Sequence, residues 1–165
     1  MSEIDRMQYN KSMKLFAYGA LMSKTHMDAI GIDHSTRQAA SLPGYVLQFS
    51  KRQLHDPRIG AATIVKADPD DIVYGILYDL TDEAIAAIDI REEFPTGYTR
   101  EPITVTLDNG SHVEAIAYIA HPDHIFDDLM PTAQYIRFLT ESTDLLPEAY
   151  IAALKEVAHL KEDDA

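Results

Sequence analysis

The chain has 165 residues, 46% hydrophobic and 25% charged, which suits one globular domain with its own core. Fourteen Lys and Arg stand against 27 Asp and Glu, and the formal net charge of −13 repels a phosphate backbone, so nucleic acid is not an expected partner. Cysteine is absent, which excludes disulfides and thiolate chemistry and suits a reducing cytoplasm.

Residues 1–12 are polar, carry Glu3, Asp5, Arg6 and Lys11, and lack the apolar stretch of a signal peptide. They read as an N-terminal tail ahead of a single domain over residues 13–165. No apolar run approaches the roughly 20 residues that cross a bilayer. A soluble cytoplasmic protein with no membrane partner is the expectation.

Lys14 to Tyr18 reads as a strand broken at Gly19. Ser23 is placed to cap a short helix from Lys24 to Ile30, with Gly31 to end it. Ala39 to Leu42 and Tyr45 to Phe49 are extended segments on either side of a Pro43-Gly44 turn. Ala61 to Lys66 and Ile72 to Leu80 are two further strands, the second so continuously apolar that both faces should be covered. Gly75 within it marks a barrel bend or a bulge.

Thr81 can cap the next helix, with Asp82 and Glu83 well placed in its first turn. Ile103 to Leu107 and Val113 to Ile119 alternate around Asn109-Gly110, the signature of a β-hairpin. Ala133 to Thr140 and Pro147 to Leu160 return to helical spacing. The sum is an α+β fold: a small mixed β-barrel of about six or seven strands, with flanking and C-terminal helices.

Two segments can carry chemistry. Phe16-Ala17-Tyr18-Gly19-Ala20-Leu21-Met22 runs from a strand into a helix, so backbone N–H groups there are either plain turn structure or a seat for an anionic oxygen. Asp89, Glu92 and Glu93 gather at a helix C-terminus, where the dipole disfavours negative charge. Like charges raise one another's pKa, which makes a candidate general base; a solvated loop neutralised by Arg91 is the other reading.

The remaining candidates are weaker. His121, His124, Asp127 and Asp128 lack the spacing of a specific metal motif. Tyr74, Tyr78 and Tyr118 sit in strands and read as core residues whose hydroxyls reach a partner. No nucleophile-elbow pattern organises a Ser/His/Asp triad.

The order of motifs adds a resemblance. Phe16-Ala17-Tyr18-Gly19-Ala20-Leu21 resembles the opening Tyr-Gly-Ser/Thr turn of the γ-glutamylcyclotransferase superfamily, which includes the AIG2-like and butirosin-pathway cyclotransferases. Gly60 to Ile64 and Val73 to Tyr78 are similar to its next two strands. Asp89, Glu92, Pro95, Tyr98 and Arg100 fall at the spacing of its acidic segment, and Gln134-Tyr135, Leu146-Pro147 and Tyr150 resemble its C-terminal helices. The likeness runs over roughly residues 14 to 155.

The resemblance implies a small β-barrel with flanking helices and a cyclisation of a small γ-glutamyl substrate. The substrate's α-amine attacks its own γ-carbonyl, releasing 5-oxoproline and an amine or amino acid. It implies Glu92 as the catalytic acid/base and Tyr18, Gly19, Ala20, Leu21, Tyr98 and Tyr135 as substrate-binding residues. The backbone N–H groups of Gly19, Ala20 and Leu21 would hold the α-carboxylate. No metal or organic cofactor is implied.

Departures are visible. Ala20 stands where Ser or Thr is usual, and Glu93 where glycine is usual. The longer signature of the glutathione-specific branch is not evident. These departures keep three other readings open: a non-catalytic binding module that retains the pocket, an enzyme of another γ-glutamyl reaction, and a pure interaction domain.

Overall fold

The structure is a computed structural model that describes residues 12–161. Of the expected N-terminal tail, residues 1–11 lie outside the described residues, and Ser12 already belongs to the first strand.

Seven strands form: β1 (Ser12–Ala17), β2 (Gln38–Pro43), β3 (Tyr45–Arg52), β4 (Gly60–Lys66), β5 (Ile72–Thr81), β6 (Tyr98–Leu107) and β7 (His112–Ala120). Five of them close a barrel in the order β1-β5-β2-β6-β7, and β3 and β4 form a separate two-stranded sheet. The barrel pairs are antiparallel except β7 with β1, which run parallel through Leu15 and Ile116. Closure removes the open edges that a five-stranded sheet would otherwise expose.

Strand alternation sorts the side chains into two cores. Phe16, Leu42, Val73, Leu77, Val105 and Ala117 belong to one cluster, fed by all five barrel strands and by Ala62 and Ile64 of β4. Leu15, Ala17, Ile76, Tyr78 and Leu80 point the other way and pack with the helices. Burial on both faces is what the continuous apolar run of β5 required. Each fully buried Leu, Ile or Phe there contributes about 1.5–3 kcal/mol.

Gly75 is not a bulge. A Cβ there would stand 2.4 Å from the Ala17 carbonyl oxygen and 2.7 Å from the Phe16 ring. Glycine at this position lets β5 lie close under β1, where the Phe16 ring fills the space.

Four α-helices accompany the strands: α1 (Lys24–Ala29), α2 (Asp82–Arg91), α3 (Ala133–Thr140) and α4 (Glu148–Lys155). The first three start at side-chain caps. Ser23 accepts from the His26 N–H, Thr81 from the Ala84 N–H and Thr132 from the Tyr135 N–H. Helix α4 stops at Lys155, short of the expected Leu160. The chain after it turns back, and Leu160 donates its N–H to the Pro131 carbonyl at 2.9 Å. Among the described residues no helix is long and apolar enough to cross a membrane.

Candidate active site

Gly19 follows the end of β1 and precedes one turn of 3-10 helix, Ala20–Met22. The turn is tied down by its carbonyls. Tyr78 donates its hydroxyl to the Leu21 oxygen at 2.7 Å, while Ser142 and Arg37 donate to the Met22 oxygen at 3.0 and 3.2 Å. A Cβ on Gly19 would come within 2.9 Å of the Tyr135 hydroxyl, so the side chain from α3 needs the glycine. The Tyr135 oxygen accepts the Ala62 N–H at 3.0 Å and lies against the Ala20 N–H as well.

A cavity of about 550 Å³ opens beside this turn. Tyr18, Gly19, Ala20, Leu21, Tyr98, Tyr135 and Glu92 all line it. The turn from the start of the chain and the acidic residue from its middle therefore share one space.

The three clustered carboxylates part company in three dimensions. Asp89 accepts from the Tyr118 hydroxyl at 2.7 Å and from Arg100 at 3.3 Å, and the Arg100 guanidinium lies over the Phe94 ring at 4.2 Å. Glu93 adopts φ +55°, the left-handed region that glycine favours, at the place where a glycine was the usual residue. Glu92 caps α2 and lines the cavity together with Glu93.

Burial pushes the Glu92 carboxyl up to about 7. Lys51 and then Arg91 pull it down, and Glu93 adds a smaller upward push. The residue keeps some surface because it faces a cavity, yet the carboxyl is deprived of bulk hydration, which disfavours its charged form. The order of causes corrects the expectation from sequence: burial outranks repulsion among the like charges.

The tyrosines are neutral hydroxyls. Tyr98 donates to the Ala62 carbonyl at 2.8 Å, and Tyr18 donates to the Tyr118 carbonyl. Burial raises Tyr18 and Tyr98 well above their ordinary value, with Tyr135 and Glu92 adding to it. Burial raises Tyr135 and Tyr118 too, the latter helped by its bond to Asp89. A buried phenol surrounded by other acids holds its proton.

Tyr118 and Lys51 are among the lining residues that the sequence did not point to. Tyr118, read from its strand position as a core residue, lines the cavity with its hydroxyl on Asp89. Lys51 lines it too, although it sits in β3 and only 3% of its surface is exposed. The pairing of β3 with β4 shifts register between Gln48 and Lys51. Ser50 and Lys51 are consequently both buried, where simple alternation would turn one of them out. A lysine near the end of an amphipathic strand carries no local sign of that shift.

The His121 and Asp123 pair serves a turn: His121 accepts the Asp123 N–H at 3.2 Å and starts a 3-10 turn over Pro122–His124.

The barrel, the two-stranded sheet and the flanking helices together define a γ-glutamylcyclotransferase-like α+β fold. The sequence profile described as "Gamma-glutamyl cyclotransferase, AIG2-like" matches residues 15–137, and the chain belongs to that family. Among solved structures, a gamma-glutamyl cyclotransferase superposes with a TM-score of 0.77 at 19% identity, over 91% of this chain and 90% of that one. An uncharacterized human protein superposes at 0.76 with 20% identity, over 91% and 90%. A yeast gamma-glutamyl cyclotransferase specific to glutathione superposes at 0.63 with 17% identity, over 89% and 95%. At such identities the likeness is one of fold. No sequence among curated proteins matches the chain.

Proposed function

We propose that this protein is a cyclotransferase that releases 5-oxoproline and an amine or amino acid from a small γ-glutamyl compound, with Glu92 as its acid/base. The observation that carries this reading is the shared cavity, which holds the Gly19 turn and a carboxyl raised by burial to about 7. A group that titrates near working pH can both take and return a proton. We read residues 13–165 as one domain, and a lining that draws on residues from Leu15 to Phe138 supports this for that stretch.

In this mechanism the turn at Gly19, Ala20 and Leu21, with the Tyr135 hydroxyl, receives the α-carboxylate. Tyr18 and Tyr98 shape the walls. Glu92 takes a proton from the α-ammonium, and the freed amine attacks the γ-carbonyl carbon. A new C–N bond closes the five-membered ring, the old C–N bond breaks, and Glu92 delivers its proton to the departing nitrogen. Glu92 carries one of the two protons that leave the α-nitrogen; the ring nitrogen loses the second to solvent, and the released amine takes one from solvent to become an ammonium. Holding the substrate folded is worth up to about 7–11 kcal/mol in favourable intramolecular cases. No step requires a metal or an organic cofactor.

A non-catalytic binding module is the second reading, and Ala20 favours it by lacking a hydroxyl in the turn. One experiment separates the two. γ-Glutamyl amino acids, glutathione and γ-glutamyl amines are each incubated with the protein and with its Glu92→Gln variant, and 5-oxoproline is measured. The expected result is product from at least one compound, and a loss of about 10²–10⁴-fold in the variant with its melting curve intact. A fully active variant removes Glu92 from the mechanism, and no product from any compound favours the binding module.

A further inference from the structure

We propose that Lys51 is a second catalytic residue of this cavity, and that its ammonium takes up the negative charge that develops on the γ-carbonyl oxygen as the ring closes. The inference rests on the cyclotransferase reading above and adds a residue to it.

Lys51 is buried to within 3% of full enclosure and lines the cavity that holds Glu92. Among the described residues its Nζ makes no hydrogen bond and no salt bridge, and it lies over the Tyr98 ring, 5.2 Å from Nζ to the centroid. The stem is enclosed, and the ammonium, which borders the cavity, meets no acceptor from the protein, so its partners must come from whatever occupies that space. An apolar side chain of the same length would satisfy the packing. The backbone is nevertheless shaped to turn this side chain in: the register shift puts Ser50 and Lys51 both inside, and Lys51 is bridged to Ala61 on one side and Ile125 on the other. A charge turned into the cavity, with no hydrogen-bond acceptor there beyond the field of Glu92 and the Tyr98 ring, calls for a ligand that brings one.

Lys51 is the enclosed cation of the described lining, whereas Gln53 and Tyr135 offer neutral donors. Arg91 and His55 also line the cavity but are exposed, and His26 is half-buried. The hydroxyl protons of Tyr18, Tyr98 and Tyr118 are already given to the Tyr118 carbonyl, the Ala62 carbonyl and Asp89. The location favours the oxyanion over the α-carboxylate. Lys51 is the cation that Glu92 feels most strongly, and Glu92 serves the two nitrogens that the γ-carbonyl carbon joins during the reaction. When the α-nitrogen adds to that carbon, the carbonyl π pair moves onto oxygen. It returns as the bond to the leaving nitrogen breaks and that nitrogen takes its proton from Glu92. A fixed positive charge beside the oxygen acts mainly at the moment the charge exists.

The test uses the full chain, its Lys51→Met and Lys51→Arg variants, and the γ-glutamyl compound most active in the panel. Lys51→Met is expected to lower kcat about 100-fold. KM should stay within about threefold, because the lost interaction belongs to the transition state. The melting temperature should hold, because Lys51 gives up no hydrogen bond or salt bridge and Met fills the same space. Lys51→Arg is expected to keep a larger share of kcat than Lys51→Met. Unchanged kcat in Lys51→Met, a loss confined to KM, equal losses in the two variants, or a lower melting temperature alongside the lost rate would each overturn the assignment while the cyclotransferase reading stands. Absence of product from wild-type protein with every compound overturns that reading, and this proposal with it.

Discussion

At the scale of single residues, the raised carboxyl of Glu92 carries a pH dependence that can be measured. Its carboxyl titrates at about 7 in the folded chain against 4.5 as an ordinary side chain, with burial the first cause. The folded state therefore binds more protons than the unfolded state between those values. Below about 4.5 both states are protonated and the residue contributes nothing; between about 4.5 and 7 the unfolded state ionises while the folded state keeps its proton, and the cost to folding grows to on the order of 3 kcal/mol and stays there above about 7. Melting temperatures of wild type and Glu92→Gln should thus agree near pH 4 and separate by pH 8, with the Gln variant higher. A gap that narrows as pH rises would contradict burial as the first cause. The rate should run the opposite way, because only the ionised carboxylate accepts the first proton: kcat/KM is expected to rise through an apparent pKa near 7. The neighbouring residues divide other work. Asp89 is committed to Tyr118 and Arg100, and Glu93 adopts a conformation that suits glycine. Nothing in the spacing of Asp89, Glu92 and Glu93 distinguishes these fates, since each depends on strands β6 and β7 or on the cavity wall.

At the scale of elements, local pattern carried far. The hairpin around Asn109-Gly110, the caps at Ser23, Thr81 and Thr132, and the doubly covered β5 are all consequences of short-range chemistry that the sequence displays. The register shift in β3 and the early end of α4 were not legible, because each involves a partner distant in sequence: β4 and Ile125 for the first, Pro131 and Thr132 for the second. Gly75 links an element to the site. Gly75→Ala would drive a methyl to within 2.4 Å of the Ala17 oxygen and 2.7 Å of the Phe16 ring. Backbone cannot yield as a flexible side chain can, so a loss of about 3 kcal/mol is expected in denaturant unfolding. Because β1 ends two residues before Gly19, the variant should also raise KM. Wild-type stability in the variant would mean that β1 and β5 are free to move apart at this point.

At the scale of the whole molecule, the net charge of −13 surrounds a cavity that encloses a lysine. On the proposed function, a γ-glutamyl amino acid, with two carboxylates and one ammonium, would approach against that field. Raising ionic strength from 0.01 to 0.15 M shortens the screening length from about 30 to about 8 Å. Its kcat/KM should then rise about twofold, while a γ-glutamyl amine of zero net charge should show no such change. Equal salt dependence for both substrates would show that long-range repulsion plays no part. The amino-acid sequence by itself determined the strands, the capped helices, the glycine turn and the presence of an acidic cluster, because turn chemistry, capping and alternation act within a few residues. Only the tertiary structure decided that Glu92 loses its water, that Asp89 is taken by other partners and that Lys51 turns inward. Desolvation and enclosure are produced by atoms that the chain brings together from Leu15 to Phe138, and no short stretch of it contains them all.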